Sequence, residues 1–465
     1  MSFTSWEFWR LFALVLVGLW LLRTRTQRQL LILTASAVFY SRQNPWYLLL
    51  LATPIVVDYT CGLRIAGRED LSTRRRWLAV SIVTNLGLLA YFKYAGFFVE
   101  NIALLTGVPL SPLKIFLPIG ISFFTLKSLS YTIDVYRGTL PPCRSIWRYA
   151  MFVSYFPDLI AGPIVRASVF LPQLTRSLRP SWDRASVGTQ LILLGLTKKL
   201  VIADQLAVLV DPVFETPGQF SPLTVASGVF VYSLQIYCDF SGYSDIAIGV
   251  SHLIGIDLPE NFNMPYLATS LSDFWRRWHM TLSQWLRDYL YIPLGGNRHG
   301  RARTYVNLFI TMLLGGLWHG AKRTFVVWGF LHGLGLATHH LWRERTQGST
   351  RPLNGWGGRL LTYLFVCFTW VFFRSESIPT ALIVLGKIAG TQGGGFVWFY
   401  APLLPLTLIV IAGHVVGTRA VQTASPFRTF VPTGGFIGGF AITAWVLALL
   451  VFSPIKSSPF IYFRF

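Results

Sequence analysis

Two of the eight histidines in this 465-residue chain lie where an imidazole, which exchanges its proton near neutral pH, can do chemistry. The first, His319, follows an apolar run over residues 305–318 and precedes Gly320. As a helix this run rises about 21 Å, which is less than the roughly 30 Å of a membrane's hydrocarbon core. The run therefore predicts a helix that re-enters or ends inside the membrane, leaving His319 away from bulk water. An ionisable side chain is costly there, which makes His319 a functional candidate.

The alternative for His319 is a structural histidine that is hydrogen-bonded between helices. Gly315, Gly316 and Gly320 surround it, and such small residues let another backbone or a ligand approach closely. The other six histidines have no comparable surroundings and are predicted to be structural or solvent-facing: His252, His299, His332, His339, His340 and His414.

The second candidate, His279, lies in a stretch of charged and aromatic residues from Ser272 to Tyr291. At about 100° per residue, this stretch is predicted to form one amphipathic helix with two unlike faces. The polar face contains Asp273, Arg276, Arg277, Gln284, Arg287 and Asp288, and the apolar face contains Trp275, Trp278, Leu282, Trp285, Leu286 and Tyr289. His279 lies at the border between them. So many charges place the helix at an interface or in a protein-lined cavity rather than in lipid.

The alternative for this stretch is a plain interfacial anchor. In that case Asp273 and Arg277, four residues apart, would form an ion pair along one helix face. The next segment, Gly295–Gly300, is glycine-rich and basic but does not fit the spacing of a phosphate-binding loop. It is predicted to be a tight loop.

The elements that position these residues are predicted to be membrane helices. Hydrophobic residues make up 53% of the chain and charged residues 13%, about half the charged fraction of soluble domains. Apolar runs recur at residues 8–22, 30–41, 46–63, 77–99, 115–135, 187–210, 222–254, 305–318, 325–342, 360–373, 400–417 and 435–453. Since a span needs about 20 apolar residues, they predict an all-α membrane protein of about ten to twelve spans. We expect a single membrane domain over residues 1–465.

The charge distribution predicts an orientation rather than a nucleic-acid partner. The net charge is +21, but the basic residues fall in short blocks between apolar runs. Blocks of arginine follow the first, third and fifth runs, which places the N-terminus outside and these blocks in the cytoplasm. The four cysteines have neither disulfide-framework nor zinc-site spacing, and the first run lacks the marks of a cleaved signal peptide.

Several motifs resemble the membrane-bound O-acyltransferase (MBOAT) family, within it the bacterial branch that O-acetylates exopolysaccharides such as alginate. The similar segments are FPDLIAGP (Phe156–Pro163), YCDFSGYSD (Tyr237–Asp245), NFNMPY (Asn261–Tyr266), FWRRWHMTLS (Phe274–Ser283), LRDYLYIPLGGN (Leu286–Asn297), GLWHG (Gly316–Gly320) and the ending SPFIYFRF (Ser458–Phe465). Each motif is short, so the resemblance rests on their order and spacing. It is densest from about residue 150 to residue 345.

The resemblance implies a many-helix fold around a funnel-like cavity, where donor and acceptor meet from opposite membrane faces across a thin partition. Residues 150–345 would be the catalytic core, flanked by N-terminal spans over 1–149 and C-terminal spans over 346–465. His319 would be the catalytic base, and His279 would orient the acceptor or stabilise the oxyanion. The implied substrate- and donor-binding residues are Trp318, Arg276, Arg277, Arg287, Trp278 and Ser283.

The resemblance also implies acetyl-CoA as acyl donor, with no bound cofactor, no metal, and a location in the bacterial inner membrane. The basic cytoplasmic face would attract the donor's phosphates. The acceptor would be a polysaccharide or a periplasmic acetyltransferase partner protein. Other functions stay open on the sequence: D-alanyl transfer to teichoic acid, acyl transfer to lipid or protein, acyl transport without bond making, and a scaffold role in a polymer-secretion complex.

Overall fold

In the computed structural model, the chain is described over residues 1–108, 111, 113, 115–176, 178, 181–345, 355–421, 435–454 and 457–461. Regular secondary structure in this part is helical, apart from one isolated bridge between Phe220 and Phe396. The predicted all-α class is confirmed. Residues 462–465 of the C-terminal motif lie outside the described part.

Nineteen α-helices occur in the described residues. In order they are α1 (Trp6–Leu21), α2 (Arg25–Ser41), α3 (Tyr47–Ala66), α4 (Leu71–Leu89), α5 (Ala95–Thr106), α6 (Ile121–Arg137), α7 (Ile146–Ser154), α8 (Ala167–Gln173), α9 (Trp182–Leu196), α10 (Asp204–Glu215) and α11 (Pro222–Ile254). They continue as α12 (Leu271–Trp275), α13 (Met280–Leu286), α14 (Gly300–His319), α15 (Arg323–Arg345), α16 (Gly355–Arg374), α17 (Ile378–Ile388), α18 (Leu403–Val421) and α19 (Gly435–Phe452). π-helical turns at Ala90–Tyr94, Thr197–Ala203 and Arg287–Tyr291 prolong α4, α9 and α13.

Five helical stretches in the described part are long and apolar enough to cross a membrane. They are Tyr47–Ala66, Leu71–Thr106, Pro222–Ile254, Gly355–Arg374 and Gly435–Phe452. Each overlaps a predicted apolar run, and the run over 222–254 agrees with α11 at both ends. The chain is therefore a multi-pass membrane protein. The total of ten to twelve spans also includes more polar helices and stays a prediction.

The chain folds into two compact units. One comprises Met1–Leu193 and Tyr243–Pro259, and the other comprises Leu194–Gly242 and Glu260–Phe465. Both candidate histidines lie in the second unit.

Buried polar pairs join separate segments of the first unit. Lys127 Nζ lies 2.7 Å from Asp158 Oδ1, and both side chains are almost completely shielded from solvent. Asn85 Nδ2 donates to Asp58 Oδ2 at 2.8 Å between α4 and α3. Because charged and polar groups are costly to bury alone, each pair fixes the packing of the two segments that supply it.

The helix that ends at His319 is longer than the apolar run, so the predicted helix length of 14 residues is wrong. α14 has 20 residues, which corresponds to about 30 Å. Its first turn contains Arg301 and Arg303, which interrupt an apolar run but favour helix. Tyr305 Oη donates to Glu344 Oε2 at 2.9 Å, and Arg301 Nε lies 3.4 Å from the same oxygen. These contacts tie the polar start of α14 to the end of α15.

The predicted single amphipathic helix is also wrong, because the chain turns sharply at His279 between α12 and α13. His279 has a left-handed backbone, with φ at 43°, which non-glycine residues seldom adopt. The Asn263 N–H donates to Arg277 O at 2.9 Å. This bond to a separate segment competes with the helical bonds that periodicity alone favours. The predicted ion pair is confirmed, with Arg277 Nε 2.9 Å from Asp273 Oδ1.

The glycine-rich segment before α14 is the tight loop that the sequence predicts. Gly295, Gly296 and Gly300 all have positive φ, at 111°, 55° and 82°. These values lie in the region that residues with a side chain rarely occupy. The loop therefore needs its glycines to reverse the chain before α14.

Candidate active site

His319 is enclosed by aromatic rings at the end of α14. Only 5% of its surface is exposed. The ring centroids of Trp318, Trp328 and Phe373 lie 5.0, 5.1 and 5.2 Å from that of the imidazole, all in edge-to-face geometry. The prediction that His319 is kept from bulk water is confirmed, although aromatic packing rather than a short helix achieves it.

Glycines allow α14 and α15 to pack closely, and this packing places Trp328 beside the end of α14. A Cβ atom on Gly329 would lie 2.6 Å from Met312 O, and one on Gly316 would overlap the backbone of Phe325. Small residues permit such an approach between membrane helices. The close approach predicted at Gly316 is therefore confirmed.

His279 is fully buried and has a defined hydrogen-bond direction. Its Nδ1 lies 3.1 Å from Asn261 Oδ1, which also accepts from the Thr281 backbone N–H at 3.3 Å and its hydroxyl at 2.9 Å. A backbone N–H can only donate, so this amide atom of Asn261 is the oxygen and Nδ1 of His279 is the donor. In the neutral imidazole, Nε2 is then the accepting nitrogen. Phe240 packs on the ring at a centroid distance of 4.8 Å.

Trp318 contacts both imidazoles. Its ring centroid is 5.9 Å from that of His279 and 5.0 Å from that of His319. The fold thus brings three of the predicted site residues into one group, called here the histidine cluster: His279, Trp318 and His319. His279 lies at a turn, and His319 lies at the end of a helix. Different backbone features therefore hold the two imidazoles in place.

Two other predicted site residues support the cluster from the core. Trp278 is buried, and its ring centroid lies 5.1 Å from those of Phe262 and Trp370. Ser283 Oγ donates to Trp278 O at 3.3 Å, which ties α13 to the turn before it. Trp278 thus packs in the core next to His279, and Ser283 stabilises the turn that contains His279.

The three predicted donor-binding arginines differ in their surroundings. Arg277 forms the ion pair with Asp273, and Arg287 Nε lies 2.7 Å from Asp288 Oδ1. Arg276 is exposed. Because carboxylates already engage the other two guanidinium groups, Arg276 is the one best placed to meet an anion arriving from solvent.

Several residues around the cluster were not predicted as site residues. Asn261 and Phe373 contact its histidines directly, and Trp328 forms a wall beside His319. His332, predicted to be structural or solvent-facing, is fully buried with its ring centroid 4.6 Å from that of Trp328. The four-residue spacing of Trp328 and His332, which stacks side chains on one helix face, was the available signal.

The arrangement offers acid–base chemistry. An imidazole held beside a bound hydroxyl group can take its proton during the reaction, and a water-poor enclosure strengthens the electrostatic interactions of charge that develops there. Within the described residues, no group of three or more His, Cys, Asp and Glu side chains is arranged to hold a metal ion.

The fold and site together define an all-helical, multi-pass membrane protein with two buried histidines that contact one tryptophan. The profile of the MBOAT, membrane-bound O-acyltransferase family matches residues 3–376, so the chain belongs to this family of acyltransferases. The family resemblance seen in the motifs is confirmed, and so is the prediction of an acyltransferase.

Three relatives illustrate the similarity. The probable alginate O-acetylase of Pseudomonas aeruginosa is 44% identical over 82% of this chain and 73% of its own length. The probable alginate O-acetylase of Pseudomonas putida is 38% identical over the full length of both proteins. The peptidoglycan O-acetyltransferase of Helicobacter pylori is 39% identical over 78% of this chain and 74% of its own.

Proposed function

We propose that this protein transfers an acetyl group from a cytoplasmic acyl donor towards an exported polysaccharide, with alginate the first candidate and His319 the general base. The observation that carries the proposal is the burial of His319 inside an aromatic enclosure, in which Trp318 also contacts His279. Family membership supplies the reaction class. The names of the similar proteins, which denote O-acetylation of alginate or peptidoglycan, favour acetyl over D-alanyl transfer.

In the proposed reaction, the acceptor hydroxyl oxygen attacks the carbonyl carbon of an acetyl thioester. His319 takes the hydroxyl proton as the new C–O bond forms. The C–S bond then breaks, and the proton passes to the leaving thiolate. The products are an acetyl ester and a free thiol.

The direction of the hydrogen bond at His279 favours one of its two predicted roles. With Nδ1 donating to Asn261 Oδ1, neutral His279 presents Nε2 as an acceptor. An acceptor can hold a substrate hydroxyl by receiving its proton in a hydrogen bond, whereas an oxyanion needs donors. We therefore assign His279 to orienting the acceptor.

We further propose acetyl-CoA as the donor, the bacterial inner membrane as the location, and a periplasmic acetyltransferase or the polysaccharide itself as the acceptor. Exposed Arg276 is the first candidate to bind the donor's phosphates, because a guanidinium binds phosphate oxygens in pairs. Replacing Arg276 with Glu should weaken acetyl-CoA binding by purified protein. Unchanged binding would remove Arg276 from the donor site.

The test of the proposed function uses an alginate-exporting bacterium that lacks its own O-acetylase and expresses this protein. His319→Ala should abolish acetylation of the exported polymer at a normal membrane level of the protein. His299→Ala is the matched control, because His299 is exposed in the loop before α14, and it should leave acetylation unchanged. Full acetylation by His319→Ala would overturn the catalytic assignment and favour a transport or scaffold role.

A further inference from the structure

His332 is a buried imidazole that the proposed reaction does not use. It lies on α15, four residues after Trp328, and no part of its surface is exposed. Trp275 of α12 and Thr369 of α16 contact its two ring nitrogens. Hydrogen-bond partners on two other helices give this buried imidazole a defined orientation.

The partners of His332 fix its tautomer. The Trp275 indole N–H, which can only donate, lies 3.3 Å from Nδ1, so Nδ1 accepts. The proton of the neutral ring is then on Nε2, which lies 3.1 Å from Thr369 Oγ1. The Thr369 hydroxyl passes its own hydrogen to Val366 O at 2.9 Å. One directed chain of hydrogen bonds therefore runs from α12 through His332 to the backbone of α16.

His332 contacts the wall of the His319 enclosure through Trp328. The ring centroid of Trp328 is 4.6 Å from that of His332 and 5.1 Å from that of His319. Trp328 also stacks on Trp370 at 6.0 Å and 13°, and meets Phe373 at 5.4 Å. The position of the Trp328 ring therefore depends on the positions of these neighbouring rings.

We propose that His332 is a positioning residue, which holds Trp328 against His319 because its two hydrogen bonds lock the imidazole between Trp275 and Thr369. This inference rests on the proposed role of His319 as base. A general base must be placed to within a fraction of an ångström, and a misplacement of about 1 Å costs roughly a hundredfold in rate. The alternative is that the same hydrogen bonds only stabilise the fold.

The decisive pair of variants is Thr369→Val and Thr369→Ser. Valine keeps the shape of threonine but leaves the Nε2 proton of His332 without its acceptor, whereas serine keeps the hydroxyl. Inverted membrane vesicles, loaded with alginate inside and supplied with labelled acetyl-CoA outside, give kcat and the KM for acetyl-CoA, each normalised to folded protein. Thr369→Val should lower kcat about tenfold or more with KM within twofold, and Thr369→Ser should restore kcat.

His332→Phe provides a second measurement, because it keeps a ring beside Trp328 and removes both hydrogen bonds. It should lower kcat at least as much as Thr369→Val. Wild-type kcat for Thr369→Val would overturn the positioning role, as would a parallel change of kcat and KM or a failure of Thr369→Ser to restore kcat. His319→Ala in the same vesicles separates the two claims: if it is active, the proposed function fails, and if it is inactive while Thr369→Val is unaffected, only the positioning role fails.

Discussion

The Nδ1 of His279 and the Oδ1 of Asn261 are 3.1 Å apart, and the same oxygen accepts two hydrogen bonds from Thr281. This single amide oxygen therefore fixes the tautomer of a buried imidazole and holds the turn in which it lies. Asn261 belongs to a separate segment of the chain that precedes the turn. The orientation of the His279 ring therefore depends on tertiary structure rather than on the adjacent helix.

Removing the amide of Asn261 should disorganise His279. Asn261→Ala leaves three buried donors without an acceptor, which costs about 1–3 kcal/mol for each unsatisfied group. We expect acetylation to fall about tenfold or more, together with a lower melting temperature of the purified protein. Asn261→Asp keeps an acceptor oxygen at this position and should retain more activity than alanine. Equal loss of acetylation in both variants would contradict the proposed role of the Asn261 side-chain oxygen as the hydrogen-bond acceptor for His279.

The left-handed backbone at His279 allows its conformation and its chemistry to be tested separately. Glycine adopts a φ of 43° without strain, and asparagine tolerates it better than most residues. His279→Gly should therefore fold and reach the membrane but lose acetylation, whereas His279→Val should also lose stability because a β-branched residue is strained there. Melting temperature and acetyl content of the polymer separate the two effects. An active glycine variant would remove His279 from the mechanism.

The close packing of α14 on α15 predicts a sharp difference between two glycines. Gly329→Ala would place a methyl group 2.6 Å from Met312 O, so the helices must separate. Gly439, in α19, has open space around it, and alanine there should be neutral or gain up to about 1 kcal/mol from helix propensity. We expect only Gly329→Ala to lower both melting temperature and acetylation. Equal behaviour of the two variants would mean that the contact is not required.

A buried ion triad should stabilise the second unit and its C-terminal segment. Lys199 Nζ lies 2.7 Å from Asp204 Oδ1 and 2.8 Å from Asp239 Oδ1, and it donates to Ser458 O at 2.8 Å. Lys199→Met leaves two buried carboxylates without their cation, which costs about 3–5 kcal/mol. Thermal unfolding in detergent measures the loss.

The control for the triad is the exposed ion pair at the start of α14. Arg301→Met breaks a contact whose arginine side chain is 79% exposed, so its effect should be about 0–1 kcal/mol. If Lys199→Met unfolds at the same temperature as Arg301→Met, the buried triad does not stabilise this unit.

Local patterns in the sequence predicted the long apolar helices well but missed the turn at His279. The run over 222–254 coincides with α11 because a long apolar segment has no alternative to helix in lipid. The stretch around His279 has helical periodicity, but its backbone binds Asn263 instead. Hydropathy also underestimated the length of α14, because Arg301 is part of the helix but not of its apolar segment.

The residues of the histidine cluster were predictable because they lie in sequence motifs. The segment Phe274–Ser283 contains His279, and the segment Gly316–Gly320 contains Trp318 and His319. The wall around them was not predictable, because His332 obtains its two partners from Trp275 and Thr369, far away along the chain in opposite directions. These residues meet because the helices pack closely, and the periodicity of a sequence carries no information about which helices pack together.

The most direct test of the central claim is the rate of acetyl transfer from acetyl-CoA by membrane vesicles containing His319→Gln. Glutamine keeps hydrogen-bonding capacity but cannot take up a proton at neutral pH. With equal amounts of folded protein, the account predicts a rate at least about a hundredfold below wild type. A rate within twofold of wild type would contradict His319 as the general base.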